Sequence, residues 1–478
     1  MRVLSVASEC LPLIKTGGLA DVVGALPAAL AGVGVEMRVL LPGYPAVMAA
    51  LEDGPREVLA EGDLFGGPGR VLAGKARGLD ALVLEADHLF GRAGAIYLDE
   101  LGRDWADNPE RFAALSWAAA RIAAAGADGW VPQVLHAHDW QGGLAPWYLR
   151  QMGAAGRVAS VLTVHNVAFP GLAPAERRES LRLDPAGFQP QGYEFHGRIS
   201  ALKAGLKAAD RITTVSPTYA RELTRPEFGM GFDGVFRARE ADLVGILNGI
   251  DTGVWDPAAD PHVETYSTPR GKARARRALI GECGLDPSAP GPLCVVVSRL
   301  TAQKGMDVLL SALPALLDLG GQLALIGAGE REIEQALVAA AGASPRVHVR
   351  IGYDEGFAHR LIAGGDAILV PSRFEPCGLT QLCGLRYGAV PVVARTGGLA
   401  DTVIHANAAA RAADVATGLE VWPLSADALA HALRDLVTLH ADEAGFARMQ
   451  RNGMRHPVGW ERSAGLYKAL YSQIVPTA

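Results

Sequence analysis

Lys15-Thr-Gly-Gly-Leu-Ala-Asp21 and Arg395-Thr-Gly-Gly-Leu-Ala-Asp401 are the same phrase behind a different cation, placed near the two ends of a 478-residue chain. Each follows a strand-like run, Val3 to Ala7 or Val390 to Ala394, and opens a helix-like stretch. A strand, a glycine turn and a helix start built twice predict an α/β fold made of βαβ units. The N–H groups at such a helix start are unpaired and the helix dipole favours an anion there. The first expectation is therefore a site that grips a phosphorylated compound between two such units.

The rest of the chain repeats this alternation of short β-branched runs and longer amphipathic stretches, the pattern of a mainly parallel sheet. The first half offers strands at Val3 to Ala7, Glu36 to Leu41, Ala81 to Glu85, Gln133 to Ala137, Ser160 to Val164 and Arg211 to Val215. The stretch from about Asp53 to Tyr97 is less regular and reads as an antiparallel excursion. A second series follows at Leu293 to Ser298, Leu323 to Ile326, Val347 to Ile351, Ala367 to Val370 and Val390 to Ala394. Between the series, Asn248 to Pro261 carries Asn-Gly, Thr-Gly and Asp-Pro steps, which is linker chemistry. The chain also exceeds what one hydrophobic core usually supports. The reading is thus an N-terminal domain at 1–247, a hinge at 248–260, a C-terminal domain at 261–456, and a last helical segment at 457–478 that closes the second domain or crosses back onto the first. Open parallel sheets place functional loops at the carboxyl ends of their strands, so a shared site is expected in a cleft between the domains.

Composition excludes several function classes. A net charge of −6 gives no electrostatic reason to expect nucleic acid, and the basic cluster Lys272 to Arg277 reads as a solvated helix face. No apolar stretch reaches the roughly 20 residues of a membrane span. Met1 to Glu9 reads as a first strand rather than a signal peptide, and five cysteines without a Cys-x-x-Cys pair fit reduced thiols in the cytoplasm.

The candidate chemistry lies in clusters at the strand ends. Consecutive glycines at Gly17-Gly18 admit close backbone approach to a ligand, and Lys15 adds a charge, although the loop is not a P-loop. His136-Ala-His138-Asp139-Trp140 ends one strand and His165-Asn166 another. The histidines are read as alternating along the strand, hence on opposite faces, which argues against a metal site. Asp139, Trp140, His165 and Asn166 suit a polyhydroxylated ligand such as a sugar. In Ser298-Arg299-Leu-Thr-Ala-Gln-Lys304-Gly305, two fixed cations from one loop match the needs of a diphosphate leaving group, on which negative charge grows as its bond breaks. Ser372-Arg373-Phe374-Glu375-Pro376-Cys377-Gly378-Leu379-Thr380 sets a carboxylate beside a helix start. Glu375 there is either an acceptor for sugar hydroxyls or a helix cap, while Gly378, Leu379 and Thr380 offer backbone N–H groups to phosphate. The turn Gly327-Ala-Gly329 lacks the third glycine of a dinucleotide fingerprint, with Glu332 in its place, which weakens a dehydrogenase reading.

Taken together and in order, Lys15 to Leu19, His138-Asp139-Trp140, Thr163 to Asn166, Leu247-Asn248-Gly249-Ile250-Asp251, Ser298 to Gly305 and Phe374 to Leu379 closely resemble bacterial glycogen synthases and plant starch synthases over essentially the whole chain. The resemblance implies the GT-B fold, two Rossmann-like domains with parallel sheets facing across a deep cleft. It also implies retaining transfer of glucose from ADP-glucose to the non-reducing 4-OH of an α-1,4-glucan, with no metal or other cofactor. By the same resemblance, Arg299 and Lys304 bind the ADP phosphates, helped by Lys15 and the Gly17-Gly18 backbone. Glu375 holds the glucosyl hydroxyls, and Cys377, Gly378, Leu379 and Thr380 line its loop. His165 faces the transferring glucose, Asp139, Asn166 and Asn248 position it, and Tyr97 stacks near the donor. Cys383 stands where many related retaining transferases carry a second Glu, a position that glycogen and starch synthases also usually fill otherwise. A transferase using UDP-glucose and a non-catalytic glucan- or nucleotide-binding protein are the alternatives.

Overall fold

The computed structural model describes residues 1–52 and 54–476. Asp53, where the irregular stretch was expected to begin, and residues 477–478 at the end of the last segment lie outside them. The chain divides into two compact units, Met1–Asn248 with the segment from Trp460 onward, and Gly249–Gly459.

The first unit contains β1 (Arg2–Val6), β2 (Glu36–Pro42), β3 (Arg56–Glu61), β4 (Gly69–Ala76), β5 (Leu79–Glu85), β6 (Val134–His138), β7 (Ala159–Val164), β8 (Leu172–Ala173), β9 (Glu194–Phe195), β10 (Arg198–Ser200), β11 (Arg211–Thr214) and β12 (Leu243–Gly245). Its main sheet is nine-stranded in the order β12-β11-β7-β6-β1-β2-β5-β4-β3, and a separate three-stranded sheet joins β8, β10 and β9. From β12 to β5 the main sheet is parallel, and β4 and β3 add the antiparallel excursion at one edge. The chain winds from β1 to β2 on one side and later returns to β6 on the other. The order of strands therefore reverses at β1, where open α/β sheets leave a crevice beyond the carboxyl ends.

The second unit contains β13 (Leu293–Val297), β14 (Gln322–Gly327), β15 (Val347–Ile351), β16 (Ala367–Val370), β17 (Val390–Ala394) and β18 (Leu419–Val421), in the order β15-β14-β13-β16-β17-β18. All its pairings are parallel. Side chains alternate between its faces: Cys294, Val296, Leu323, Leu325 and Val392 enter one core cluster, while Leu293, Val295, Ala324 and Ile326 enter the other. Both faces are buried under helices, which explains why these strands read as continuous apolar runs. Here the order reverses between β13 and β16, and the loops after those strands carry Arg299 and Glu375.

The expected strands are all present, whereas β12 and β18, three residues each, lack a run long enough to mark them. The boundary between the units falls within the segment read as a hinge, at Asn248/Gly249, and from Gly249 that segment is packed into the second unit. Trp255 stacks on His359 with ring centroids 3.9 Å apart, and Asp260 Oδ2 accepts hydrogen bonds from Tyr387 Oη at 2.6 Å and His359 Nδ1 at 2.7 Å. Turn residues mark where a chain bends and say nothing about whether the bend is buried. The last helix, Glu461–Ile474, packs on the first unit, where Trp460, Ala464, Tyr467, Leu470 and Tyr471 share a core with Val3, Val22, Leu26 and Val134.

Candidate active site

In the first unit the loop after β1 ends in the helix Gly18–Ala31, whose N-cap Gly17 has extended backbone and no side-chain cap of its own. The cap comes from Glu9 instead. Its carboxylate accepts from Thr16 N at 2.5 Å, Thr16 Oγ1 at 2.7 Å, Gly17 N at 3.2 Å and Tyr97 Oη at 2.8 Å. The amide of Gly17, expected to face phosphate, thus already serves an internal anion. Ala20 N bonds Gly17 O at 3.3 Å, so the N–H groups at this helix start that find no acceptor in their own turn are those of Gly18 and Leu19, which intrahelical bonding cannot satisfy. Lys15 Nζ lies 2.8 Å from Asp21 Oδ1 at the exposed edge of the turn. Tyr97 also bonds Ser8 Oγ at 2.7 Å, and its ring sits against Phe112, so it braces the Glu9 loop. Glu9 was not singled out in the sequence. Its signal was a lone acid next to a strand end, eight residues before a double glycine.

The loops after β6 and β7 meet. Asp139 adopts a left-handed backbone at φ 49°, which turns its side chain so that Oδ1 accepts from His165 N at 2.7 Å and Asn166 N at 3.3 Å. Asp139 is nearly fully buried, and desolvation raises its pKa to about 7 against the pull of those N–H donors. Asn166 Oδ1 accepts from Ala168 N at 3.0 Å, which closes the turn. Burial lowers the pKa of His165 to about 3, so its ring is neutral. Asn248, at the end of the unit, is 8% exposed and its Oδ1 has no hydrogen-bond partner among the described residues, leaving a buried acceptor for a donor from outside.

The expectation that His136 and His138 face opposite ways is overturned. Their ring centroids are 4.3 Å apart on one face of β6, because strand side chains repeat with period two and residues two apart share a face. Both are fully buried and hydrogen-bonded, His136 to Thr163 and Tyr471, His138 to Ser5 and His165. Among the described residues no group of three or more His, Cys, Asp or Glu side chains is arranged to hold a metal ion.

In the second unit the Arg299 loop and the Glu375 loop are latched together. Lys304 Nζ lies 2.5 Å from Glu375 Oε2, and Ser372 Oγ donates to the same oxygen at 3.0 Å. Gln303 Nε2 donates to Phe374 O at 2.8 Å, Gln303 O accepts from Arg373 N at 2.9 Å, and Arg373 forks onto both oxygens of Asp307 at 2.7 and 2.6 Å. Gly305 turns the first loop into its helix at φ 70°, and a Cβ there would meet Pro371 O at 1.8 Å. Arg299 is exposed, and its guanidinium donates to Gln303 Oε1 at 3.1 Å. Glu375 is therefore an ion-pair partner rather than a helix cap, and the helix Thr380–Arg386 starts at Leu379 with no side-chain cap.

Gly378, at φ 73°, and Cys377 are braced from behind by Gln381, whose Nε2 donates to Cys377 O at 3.1 Å and Gly378 O at 2.9 Å. Gln381 is fully buried and was missed in the sequence, where a glutamine inside a helix carries no signal. The second glycine turn closes this arrangement from below. Gly398 N bonds Glu375 O at 3.2 Å and Pro376 O at 3.1 Å, and a Cβ on Gly397 would meet Glu375 O at 1.9 Å.

Two parallel-sheet units, each with polar loops gathered where its strand order reverses, one of them offering paired cations and a carboxylate, have the architecture of GT-B glycosyltransferases. Comparison with known proteins agrees. Residues 2–238 match the family model described as starch synthase catalytic domain, and residues 291–438 match glycosyl transferases group 1. Glycogen synthase of Paracoccus denitrificans is 59% identical over 471 residues, covering 98% of each chain. That of a Jannaschia species is 57% identical over 470 residues, again covering 98% of each. The catalytic domain of starch synthase IV from Arabidopsis thaliana, solved with ADP and acarbose, superposes with a TM-score of 0.87 at 29% identity, covering 99% of each chain. The chain belongs to the glycogen and starch synthase family of glucosyltransferases.

Proposed function

We propose that this enzyme transfers glucose from ADP-glucose to the non-reducing 4-OH of an α-1,4-glucan, with retention, and needs neither metal nor other cofactor. The observation that carries the reading is the Lys304–Glu375 pair, with Arg299 on the same loop as Lys304. A cation and a carboxylate so largely withdrawn from water cost desolvation energy that packing alone does not require. A ligand presenting both a diphosphate and sugar hydroxyls uses both partners.

In this reading Arg299 and Lys304 neutralise the charge that grows on the departing ADP, the role a metal ion fills in other transferases. Lys15, the first-turn N–H groups of the helix at Gly18 and the backbone of Gly378, Leu379 and Thr380 complete the phosphate contacts. Glu375 accepts from glucosyl hydroxyls. His165 faces the transferring sugar, held by Asp139 through its backbone N–H, and the unpartnered Oδ1 of Asn248 takes a sugar hydroxyl. The partners of the Glu375 carboxylate are Lys304 and Ser372, with no second carboxylate bonded to it among the described residues, so the paired-carboxylate route to retention is not supported. The acceptor 4-oxygen instead attacks on the face the donor leaves: the bond from C1 to the phosphate oxygen breaks, the new C1–O bond forms, and the acceptor proton passes to the departing phosphate. The ADP and acarbose bound to the Arabidopsis relative support the donor and acceptor classes. Five cysteines, none in a disulfide among the described residues, support a cytoplasmic setting.

The test is incorporation of labelled glucose into glycogen from ADP-glucose and from UDP-glucose in the presence of a chelator. Strong incorporation from ADP-glucose and little from UDP-glucose is expected. Preference for UDP-glucose, or loss of activity on chelation, overturns the corresponding part of the reading.

A further inference from the structure

The carboxyl half of one face of the first sheet is polar. Ser5 on β1, His136 and His138 on β6, Thr163 on β7 and Thr213 on β11 are all fully buried there. One hydrogen-bonded branch runs from Tyr471 Oη to His136 Nδ1 at 2.8 Å, then from His136 Nε2 to Thr163 Oγ1 at 2.6 Å, and on to Thr213 Oγ1 at 2.5 Å. The other joins Ser5 Oγ to His138 Nε2 at 3.1 Å and His138 Nδ1 to His165 Nε2 at 2.9 Å. This second branch ends on the residue that faces the sugar under the function proposed above, on which the catalytic consequence below rests.

We infer that Ser5 and His138 are positioning residues that fix the tautomer of His165, so that its Nδ1 carries the proton. Burial keeps the His138 and His165 rings neutral, and a neutral imidazole has one donor nitrogen and one acceptor nitrogen. Between His138 Nδ1 and His165 Nε2 there is thus a single proton to assign. If His165 supplied it, His138 would donate from Nε2 to Ser5 Oγ. The Ser5 hydroxyl proton would then lack an acceptor, because Ser5 Oγ has no other partner among the described residues. A buried donor left unpaired is penalised.

If His138 supplies the proton, every group from Ser5 Oγ to His165 Nε2 is satisfied. Ser5 O–H donates to His138 Nε2, and His138 Nδ1–H donates to His165 Nε2. His165 then holds its own proton on Nδ1, which has no hydrogen-bond partner among the described residues. That nitrogen is a donor set for an acceptor oxygen on the transferring sugar. The opposite tautomer would present a lone pair there. Orientation of an imidazole by the group on its far nitrogen is a general way to choose which nitrogen acts.

The test is the imidazole ¹⁵N spectrum of the full chain labelled at histidine, read together with kinetics. His165 protonated at Nδ1 in the wild type is expected. His138→Asn, which keeps a donor at the ring Nδ1 position, should preserve that signature, whereas His138→Phe should mix the tautomers. His138→Phe should also lower kcat by about 10-fold, the scale on which losing an outer orienting partner is felt, with KM for ADP-glucose little changed. Ser5→Ala should loosen the tautomer without displacing the ring and serves if His138→Phe does not fold. A bare Nδ1 on wild-type His165, or an unchanged tautomer in both His138→Phe and Ser5→Ala, overturns the inference. Because the spectrum is read on the free chain, that failure is distinct from absence of glucose transfer by the wild type, which would overturn the functional reading instead.

Discussion

Asp139 shows how one residue spends stability to hold a backbone in place. Its carboxylate fixes the N–H groups of His165 and Asn166, yet burial raises its pKa from 3.8 to about 7. Between those values the unfolded chain has released the proton and the folded chain retains it. Folding then takes up a proton, so stability falls as pH rises through this window and levels off above it. Asp139→Asn keeps an acceptor for both N–H groups and does not titrate. Its melting temperature relative to wild type should therefore climb between about pH 4 and about pH 7. A gap independent of pH would show that Asp139 ionises normally. Glu9 is the matching case on the neighbouring loop: an acid that caps the helix at Gly18 from outside the Lys15 phrase, where the local sequence pattern carries no sign of it.

At the scale of elements, the two copies of Thr-Gly-Gly-Leu-Ala-Asp differ in what their glycines are for. A Cβ on Gly17 would meet nothing within 4 Å, whereas one on Gly397, at φ 44°, would meet Glu375 O at 1.9 Å. Gly17→Ala should keep the wild-type melting temperature and lose turnover, since its methyl enters open space beside the proposed phosphate contacts. Gly397→Ala should lower both, because backbone strain plus a clash with main chain costs roughly 2 kcal/mol or more. Equal melting losses in the two variants, followed by thermal denaturation, would contradict this division.

Much of this was legible in the sequence, because parallel strands buried on both faces leave apolar runs and their carboxyl ends are where Arg299, Glu375 and His165 stand. What was not legible depends on who meets whom across the fold. The Lys304–Glu375 pair joins residues from loops on adjacent strands, and Gln381 acts through the back of a turn. The His136–His138 error was one of geometry, since a period of two puts them together.

Over the whole molecule, the chain's last helix completes its first unit. Trp460, Tyr467, Leu470 and Tyr471 are buried there, Ser463 Oγ donates to Leu247 O at 2.5 Å, and Tyr471 reaches His136. At roughly 1.5–3 kcal/mol per large apolar side chain, those residues contribute about 6–12 kcal/mol as an upper estimate. That matches the whole stability of an ordinary domain, about 5–15 kcal/mol. Removal of the segment from Trp460 onward should leave the first unit unfolded, visible as lost helical circular dichroism and protease sensitivity within Met1–Asn248. A truncated chain melting like the full one would show that the helix only decorates the surface.

Whether the loop cations drive departure of the diphosphate in the proposed glucosyl transfer is read from the turnover number for labelled glucose passing from ADP-glucose to glycogen in Lys304→Ala and Arg299→Ala beside the wild type. Loss of an electrostatic contact made chiefly in the transition state predicts a fall of about 10²-fold or more in each. Wild-type turnover in both variants would mean that the diphosphate departs without help from either cation.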